Sequence, residues 1–253
     1  MIKLERHKRI IKTLNENGTI SIAETTKELK CSEETIRKDI IELEKQGKLI
    51  RIHGGAYLAD VYDKSLPTNL KKTFLKEEKM YMSDIAKEYI KENMLVTLDS
   101  STTCLELAKK IVDLKMSVSI ITNSLEIANV CSTSDKITLF LAGGILKTNS
   151  NSFIGHSVMD YLNYFVSDIS FVSFPCIDME FGLGDNTMED LKIRTTMLKR
   201  SKNRILLLDH TKLAEASATV FSKNLNIDTI ITDKKINKKW NEFFKKEGID
   251  VKF

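Results

Sequence analysis

The chain has 253 residues, 42 % of them hydrophobic and 29 % charged, with a formal net charge of +4. That length holds two modest domains or one large one, and so ordinary a balance, with only 2 prolines and 10 glycines, argues against long disordered linkers. The small positive charge permits an anionic partner without demanding one.

The opening "MIKLERHKRIIKTL" alternates charged and apolar residues and has no unbroken apolar core of the kind a signal peptide needs. No apolar run approaches the roughly 20 residues of a membrane span. The cysteines, Cys31, Cys104, Cys131 and Cys176, never fall at CxxC spacing, which argues against a zinc site. A reduced cytoplasmic protein is expected, with no metal, no cofactor and no membrane contact.

"LERHKRIIKTLNENG" predicts a first helix with Leu4, Ile10, Ile11 and Leu14 on one face and Gly18 ending its turn. Ser21 is placed to cap a second helix, "IAETTKELK", which offers Ile22, Ala23, Thr26 and Leu29 for packing. The chain turns at Cys31, and Ser32 is the expected cap of a third helix, with Glu33 and Glu34 suited to its positive end. Ile36, Ile40 and Leu43 recur at i, i+4 and i+7 and so face a core. Thr35, Arg37, Lys38 and Glu42 are thereby turned toward solvent, and Gly47 fits the position just past the helix. "KLIRIHGG" then adds a strand pair bearing Lys48, Arg51 and His53.

Two short helices joined by a tight turn form a helix-turn-helix, whose second helix reads the major groove with its N-terminal residues. A basic strand pair is a wing that reaches neighbouring phosphates or the minor groove. The expected DNA contacts are Ser32, Thr35, Arg37, Lys38, Lys48, Arg51 and His53. Placement carries this reading, because residues 1–60 hold twelve Lys/Arg against ten Asp/Glu. Periodicity by itself also suits a small helical bundle with solvated charges.

"SEETIRKDIIELEKQGKLIRIHGGA" resembles the signature of the DeoR-type winged helix-turn-helix, through Thr35, Ile36, Arg37, Lys38, Asp39, Leu43, Glu44, Gly47, Arg51, His53, Gly54, Gly55 and Ala56. So long a match favours the DNA reader over the bundle. The resemblance extends over nearly the whole chain. It implies a regulator that binds operator DNA; a homo-oligomer is expected because one small reader contacts few base pairs and symmetric pairing doubles the site.

Ala56–Thr73 lacks clear periodicity and holds one of the prolines, so the expected boundary separates a reader at 1–57 from a second domain at 74–253. A helix over "KEEKMYMSDIAKEYIKEN" is expected next, with Met80, Ile85, Tyr89 and Ile90 inward. Strands at "MLVTLD", "SVSIIT", "ITLFLAG", "SDISFVSF", "NRILLLD", "TIITD" and "IDVKF" then alternate with helices at "TTCLELAKKIVD", "SLEIANVCS", "SVMDYLNYF", "EDLKIRTTMLKRS" and "INKKWNEFFKKEG". This order implies an α/β fold with a parallel sheet covered on both faces, in which ligands bind beyond the carboxyl ends of the strands.

At those ends stand Asp99, Ser100, Ser101, Thr102 and Thr103, then Thr122, Asn123 and Ser124, then Gly143 and Gly144. Hydroxyls and free N–H groups at helix starts suit a phosphate, and glycines allow close approach. Lys192 and Lys212 can add charge, and Asp99, which would repel a phosphate, is assigned to sugar hydroxyls. A Ser/Thr helix cap alone is more often only a cap.

These segments resemble the sensor domain of the same family, a Rossmann-like α/β domain similar to ribose-5-phosphate isomerase, and the resemblance implies a phosphorylated sugar effector. Ser100, Ser173 and Cys176 stand where the family tends to have glycine. The expected function is repression of a carbohydrate operon under control of that effector. An alternative is a sugar-phosphate isomerase-like enzyme with an appended DNA-binding domain, in which Asp99 would be the base and Asp178, Glu180, Asp185 and Glu189 ordinary loop charges.

Overall fold

The computed structural model describes residues 1–17, 19–52, 54–58, 68–213 and 218–253, which form two compact units, Met1–Leu75 and Lys76–Phe253. The first unit contains α1 (Lys3–Asn17), β1 (Thr19–Ser21), α2 (Ile22–Leu29), α3 (Glu33–Lys45), β2 (Leu49–Ile52), β3 (Gly55–Leu58) and α4 (Thr68–Thr73). Ile10 and Leu14 of α1 meet Ile22 and Leu29 of α2 and Ile36, Ile40 and Leu43 of α3 in one core. The expected third-helix stripe is therefore the buried one. Leu4 and Ala23 lie outside it: Leu4 is 64 % exposed, and Thr25 takes the buried place on α2.

α3 ends as its sequence asks. Gly47 has φ +68°, its N–H bonds to Glu44 O, and the Lys48 N–H bonds to Leu43 O, the paired closure of a left-handed helix end. Ser21 stands at the α2 cap position, but its side chain accepts no cap hydrogen bond. Gly18 and His53 lie outside the described residues.

The wing is three-stranded, in the order β1-β3-β2 and antiparallel throughout. The strand at Thr19–Ser21 is too short for sequence periodicity to reveal. It makes Gly55 obligatory, since a Cβ there would stand 2.0 Å from Ile20 O. The stretch expected to be aperiodic thus begins in β3 and ends in α4, and Tyr57 packs edge-on against Phe74 at 4.9 Å.

Asp39, 2 % exposed, ties α3 to α1. Arg6 Nε donates to its Oδ2 at 2.6 Å, and Arg6 Nη2 and His7 Nε2 contact Oδ1 at 3.1 Å each.

The second unit is built on a seven-stranded parallel sheet. Its elements are α5 (Lys76–Ala86), β4 (Leu95–Leu98), α6 (Thr102–Asp113), β5 (Val118–Thr122), α7 (Leu125–Cys131), β6 (Ile137–Leu141), β7 (Ile145–Lys147), β8 (Ser152–Ile154), α8 (His156–Asn163), β9 (Ser167–Val172), β10 (Cys176–Asp178), β11 (Gly182–Asp185), α9 (Met188–Lys199), β12 (Ser201–Leu207), β13 (Val220–Ser222), β14 (Thr229–Ile231), α10 (Lys238–Lys246) and β15 (Asp250–Lys252). The sheet order is β15-β14-β12-β9-β4-β5-β6.

Strand side chains alternate between two cores. Val96, Leu98, Ile120, Ile205 and Leu207 meet α5, α6 and α7 on one face. Ile121, Val172, Leu206 and Ile230 meet α8, α9 and α10 on the other. This is the three-layer α/β fold that the alternating elements predict. α5 stops at Ala86 and passes into a 3-10 turn, and Met82 and Ala86 rather than Met80 face inward. The segments between the main strands are also ordered: β7 and β8 form a hairpin, and β10, β11 and β13 form an antiparallel sheet.

Asp39→Ala should cost the full-length chain about 3 kcal/mol in denaturant unfolding, the low end for breaking a buried pair from one side, because Arg6 keeps 13 % side-chain exposure.

Candidate DNA-reading face and effector site

The first turns of α3 present the residues expected to read DNA. Ser32 is the cap: its Oγ accepts the Thr35 N–H at 3.2 Å and lies 2.9 Å from the Thr35 hydroxyl. Arg37 and Lys38 point outward, their side chains 54 % and 71 % exposed. Each meets a glutamate one turn back, Arg37 with Glu33 at 3.4 Å and Lys38 with Glu34 at 2.8 Å. The second contact raises the Lys38 ammonium above its ordinary pKa and lowers the Glu34 carboxyl. Lys48 is exposed at the foot of the wing, and Arg51 is held by Glu44, whose Oε1 accepts the Arg51 N–H at 3.1 Å.

The four central strands of the second unit, β12-β9-β4-β5, end in polar residues along one rim of the sheet. Beyond β4, Asp99 is fully buried. Its Oδ1 accepts from the Ser101 N–H at 3.2 Å and the Ser101 hydroxyl at 2.6 Å, and its Oδ2 from Arg194 Nε at 2.7 Å. Ser101 also caps α6, accepting the Cys104 N–H at 3.1 Å. The N–H groups of Thr102 and Thr103 have no acceptor among the described residues. This is a helix start with free donors, as the sequence suggests.

The other expected residues divide. Beyond β5, the Thr122 hydroxyl accepts the Ser124 N–H, Ser124 caps α7, and Asn123 Nδ2 donates to Phe153 O, leaving buried Asn123 Oδ1 without a partner among the described residues. Gly144 serves the fold, since a Cβ would stand 2.6 Å from Ile154 O, whereas Gly143 is open. Lys212 is buried beyond β12, its ammonium 3.0 Å from the Ser173 hydroxyl beyond β9. Lys192 is exposed and joins none of this.

The cation inside α9 is Arg194, which the sequence reading missed. It joins Asp99 to Asp185 of β11, its Nη1 contacting Asp185 Oδ2. Asp185 is 1 % exposed and is thus no ordinary loop charge. Burial opposes the charge of Arg194, but Asp185, Asp99 and Asp190 together raise its pKa above the ordinary value. Burial pushes the Asp185 carboxyl up despite that partner. Asp190 behaves in the opposite way. Burial works against its charge, yet Arg194, with hydrogen bonds from Lys147 at 2.6 Å and Thr187 at 2.7 Å, holds its carboxyl below the usual range.

A reading helix with a wing and a separate α/β unit with a polar strand-end rim define a two-part regulator class. Residues 6–61 match the model of the DeoR-like helix-turn-helix domain, and residues 75–234 match that of the DeoR C terminal sensor domain. The chain is 33 % identical over 254 residues to the HTH-type transcriptional regulator GolR of Listeria innocua, covering 100 % of this chain and 99 % of that one. It is 30 % identical to the HTH-type transcriptional repressor GlcR of Bacillus subtilis (99 % and 96 % covered) and 26 % to the glycerol-3-phosphate regulon repressor of Escherichia coli (92 % of each). The chain belongs to the DeoR family of DNA-binding transcriptional regulators. A solved ribose-5-phosphate isomerase in complex with phospho-erythronic acid aligns over 55 % of each chain at 16 % identity and a TM-score of 0.42. Among the described residues no helix is long and apolar enough to cross a membrane, and no group of His, Cys, Asp and Glu could hold a metal ion.

Arg194→Met should cost about 3–5 kcal/mol of stability by stranding two buried carboxylates, whereas Lys192→Ala should stay within about 0.5 kcal/mol; denaturant titration checks both. Because the folded-state pKa of Asp190 is lowered, its contribution is present above the ordinary carboxylate range and is lost as pH falls through the folded value. Asp190→Asn should therefore cost about 1–2 kcal/mol at pH 7, and the gap to the wild type should close as pH falls through the folded-state value of Asp190, read by thermal unfolding across pH.

Proposed function

We propose that the chain represses a carbohydrate operon, and that a phosphorylated sugar bound to the second unit changes its affinity for the operator. The reading helix contributes Ser32, Thr35, Arg37 and Lys38 to the DNA contact, and the wing contributes Lys48, Arg51 and His53. The carbohydrate link is supported by the names of relatives such as the L-fucose operon activator and the glycerol-3-phosphate regulon repressor. One observation carries the effector half: an amino group buried on Ser173 shares a strand-end rim with the free N–H groups of Thr102 and Thr103. Both favour an anion. Coupling follows from linkage, since an effector that binds one conformational state better shifts DNA affinity by that difference.

The chain has no catalytic role in this reading. Asp99, the base of the isomerase alternative, is occupied by Arg194 and Ser101. Pentose and hexose phosphates should therefore be bound without isomerisation. The regulator acts as a homo-oligomer, because one small reader contacts few base pairs and symmetric pairing doubles the site.

Arg37→Ala with Lys38→Ala should weaken operator binding by about 1–3 kcal/mol for each base-reading side chain removed, measured by fluorescence anisotropy at fixed salt; unchanged binding contradicts the assignment. A sugar phosphate at 100 times its dissociation constant should stabilise the protein by about 2.7 kcal/mol in a thermal-shift screen. Light scattering should show a dimer or larger species.

A further inference from the structure

Positive charge is unevenly spread along the chain. Residues 234–253 hold seven lysines and three acids, an excess of four that equals the formal charge of the whole chain. Residues 1–60, which contain the reader, have an excess of only two. The strongest basic patch therefore lies on the sensor unit, around α10.

The helix presents these charges on one side. Asn237 caps α10, its Oδ1 accepting the Trp240 N–H at 3.0 Å. Trp240 and Phe244, one turn apart, stack at 5.3 Å between ring centroids and join the core beneath the sheet. Lys238, Lys245 and Lys246, at i, i+7 and i+8, fall on the opposite side, with Lys239 next to Lys246. All four are exposed, as is Lys235 just before the cap. Lys238 faces Glu242 at 3.8 Å. Lys235, Lys239, Lys245 and Lys246 have no carboxylate partner among the described residues. The reader's cations differ, since Arg37, Lys38 and Arg51 each hold a glutamate.

The chemistry of this face selects its partner. A basic helix that lies on a membrane inserts its apolar side, and the apolar side of α10 is already buried. Cores of protein interfaces favour arginine and aromatic rings and are poor in lysine, whereas this face has lysines alone. Lysine is a hydrated point charge on a flexible stem, which suits a row of phosphates without reading bases. A helix of nine residues runs about 13 Å, along which one DNA strand offers about four phosphates.

We propose that the outward face of α10, through Lys235, Lys239, Lys245 and Lys246, binds the phosphate backbone of duplex DNA without regard to sequence. The sensor unit thereby supplies a share of the regulator's general DNA affinity, separate from the reading helix.

The test is fluorescence anisotropy of the full chain on a labelled duplex of arbitrary sequence, about 40 base pairs long, titrated between about 50 and 200 mM salt. Exchange of the four lysines for glutamine should flatten the slope of log affinity against log salt by about two to four units. Lys239→Gln with Lys246→Gln alone should give about half that change, which keeps the test open should the fourfold variant fold poorly. Arginine at the same four positions should preserve the slope. A control that removes equal charge elsewhere on the unit, Lys115→Gln, Lys136→Gln, Lys192→Gln and Lys199→Gln, should change it by less than about one unit. An unchanged slope in the α10 variants overturns the proposal. An equal fall in the control overturns it too, since net charge would then account for the effect.

Discussion

The buried guanidinium of Arg194 is the constraint on which the sensor unit depends. It reaches Asp99 at the end of the central β4 and Asp185 in the small antiparallel sheet. Two carboxylates withdrawn from water beside a single cation form a costly arrangement that tolerates little displacement. The loop that opens α6 is thereby fixed, because the oxygen of Asp99 that Arg194 leaves free binds both Ser101 donors. The free N–H groups of the helix start thus stand on a frame held from α9, about a hundred residues further along the chain.

The reader is organised by a different buried anion. Asp39 lies on the inward side of α3 and is held by Arg6 and His7 of α1. The outward side carries Arg37 and Lys38. One helix therefore has an acid facing the fold and bases facing solvent. The orientation of the reading face follows from an ion pair as well as from Ile36, Ile40 and Leu43.

Much of this was legible in the sequence because the signals are local. The Ser32 cap, the three-residue apolar stripe of α3 and the Gly47 terminus need only neighbours within a few positions. The main strands are short apolar runs between helices, and the rim residues follow from where those runs stop. The strands β1, β10, β11 and β13 have three or four residues each and exist through partners distant in sequence, so no periodicity announces them. Arg194 does leave a trace in the sequence. It falls three residues after Leu191 and three before Met197, inside the apolar stripe of α9, whereas Lys192 falls beside that stripe. A cation at such spacing needs buried anions, and Asp99 and Asp185 supply them. That Asp99 has donors on both oxygens, while Asp209 Oδ2 has no hydrogen bond among the described residues, is a matter of packing alone.

The glutamates one turn before Arg37 and Lys38 make the reading helix its own counterion reservoir. A phosphate arriving at either cation displaces a tethered carboxylate as well as dissolved ions. Part of the usual entropic gain from ion release is then absent, and the expelled carboxylate stays next to the DNA. A weakly matched site meets residual repulsion, while a site with well-placed bases overcomes it. On the proposed DNA contact through Arg37 and Lys38, the helix gives up general adhesion to DNA in exchange for sequence discrimination.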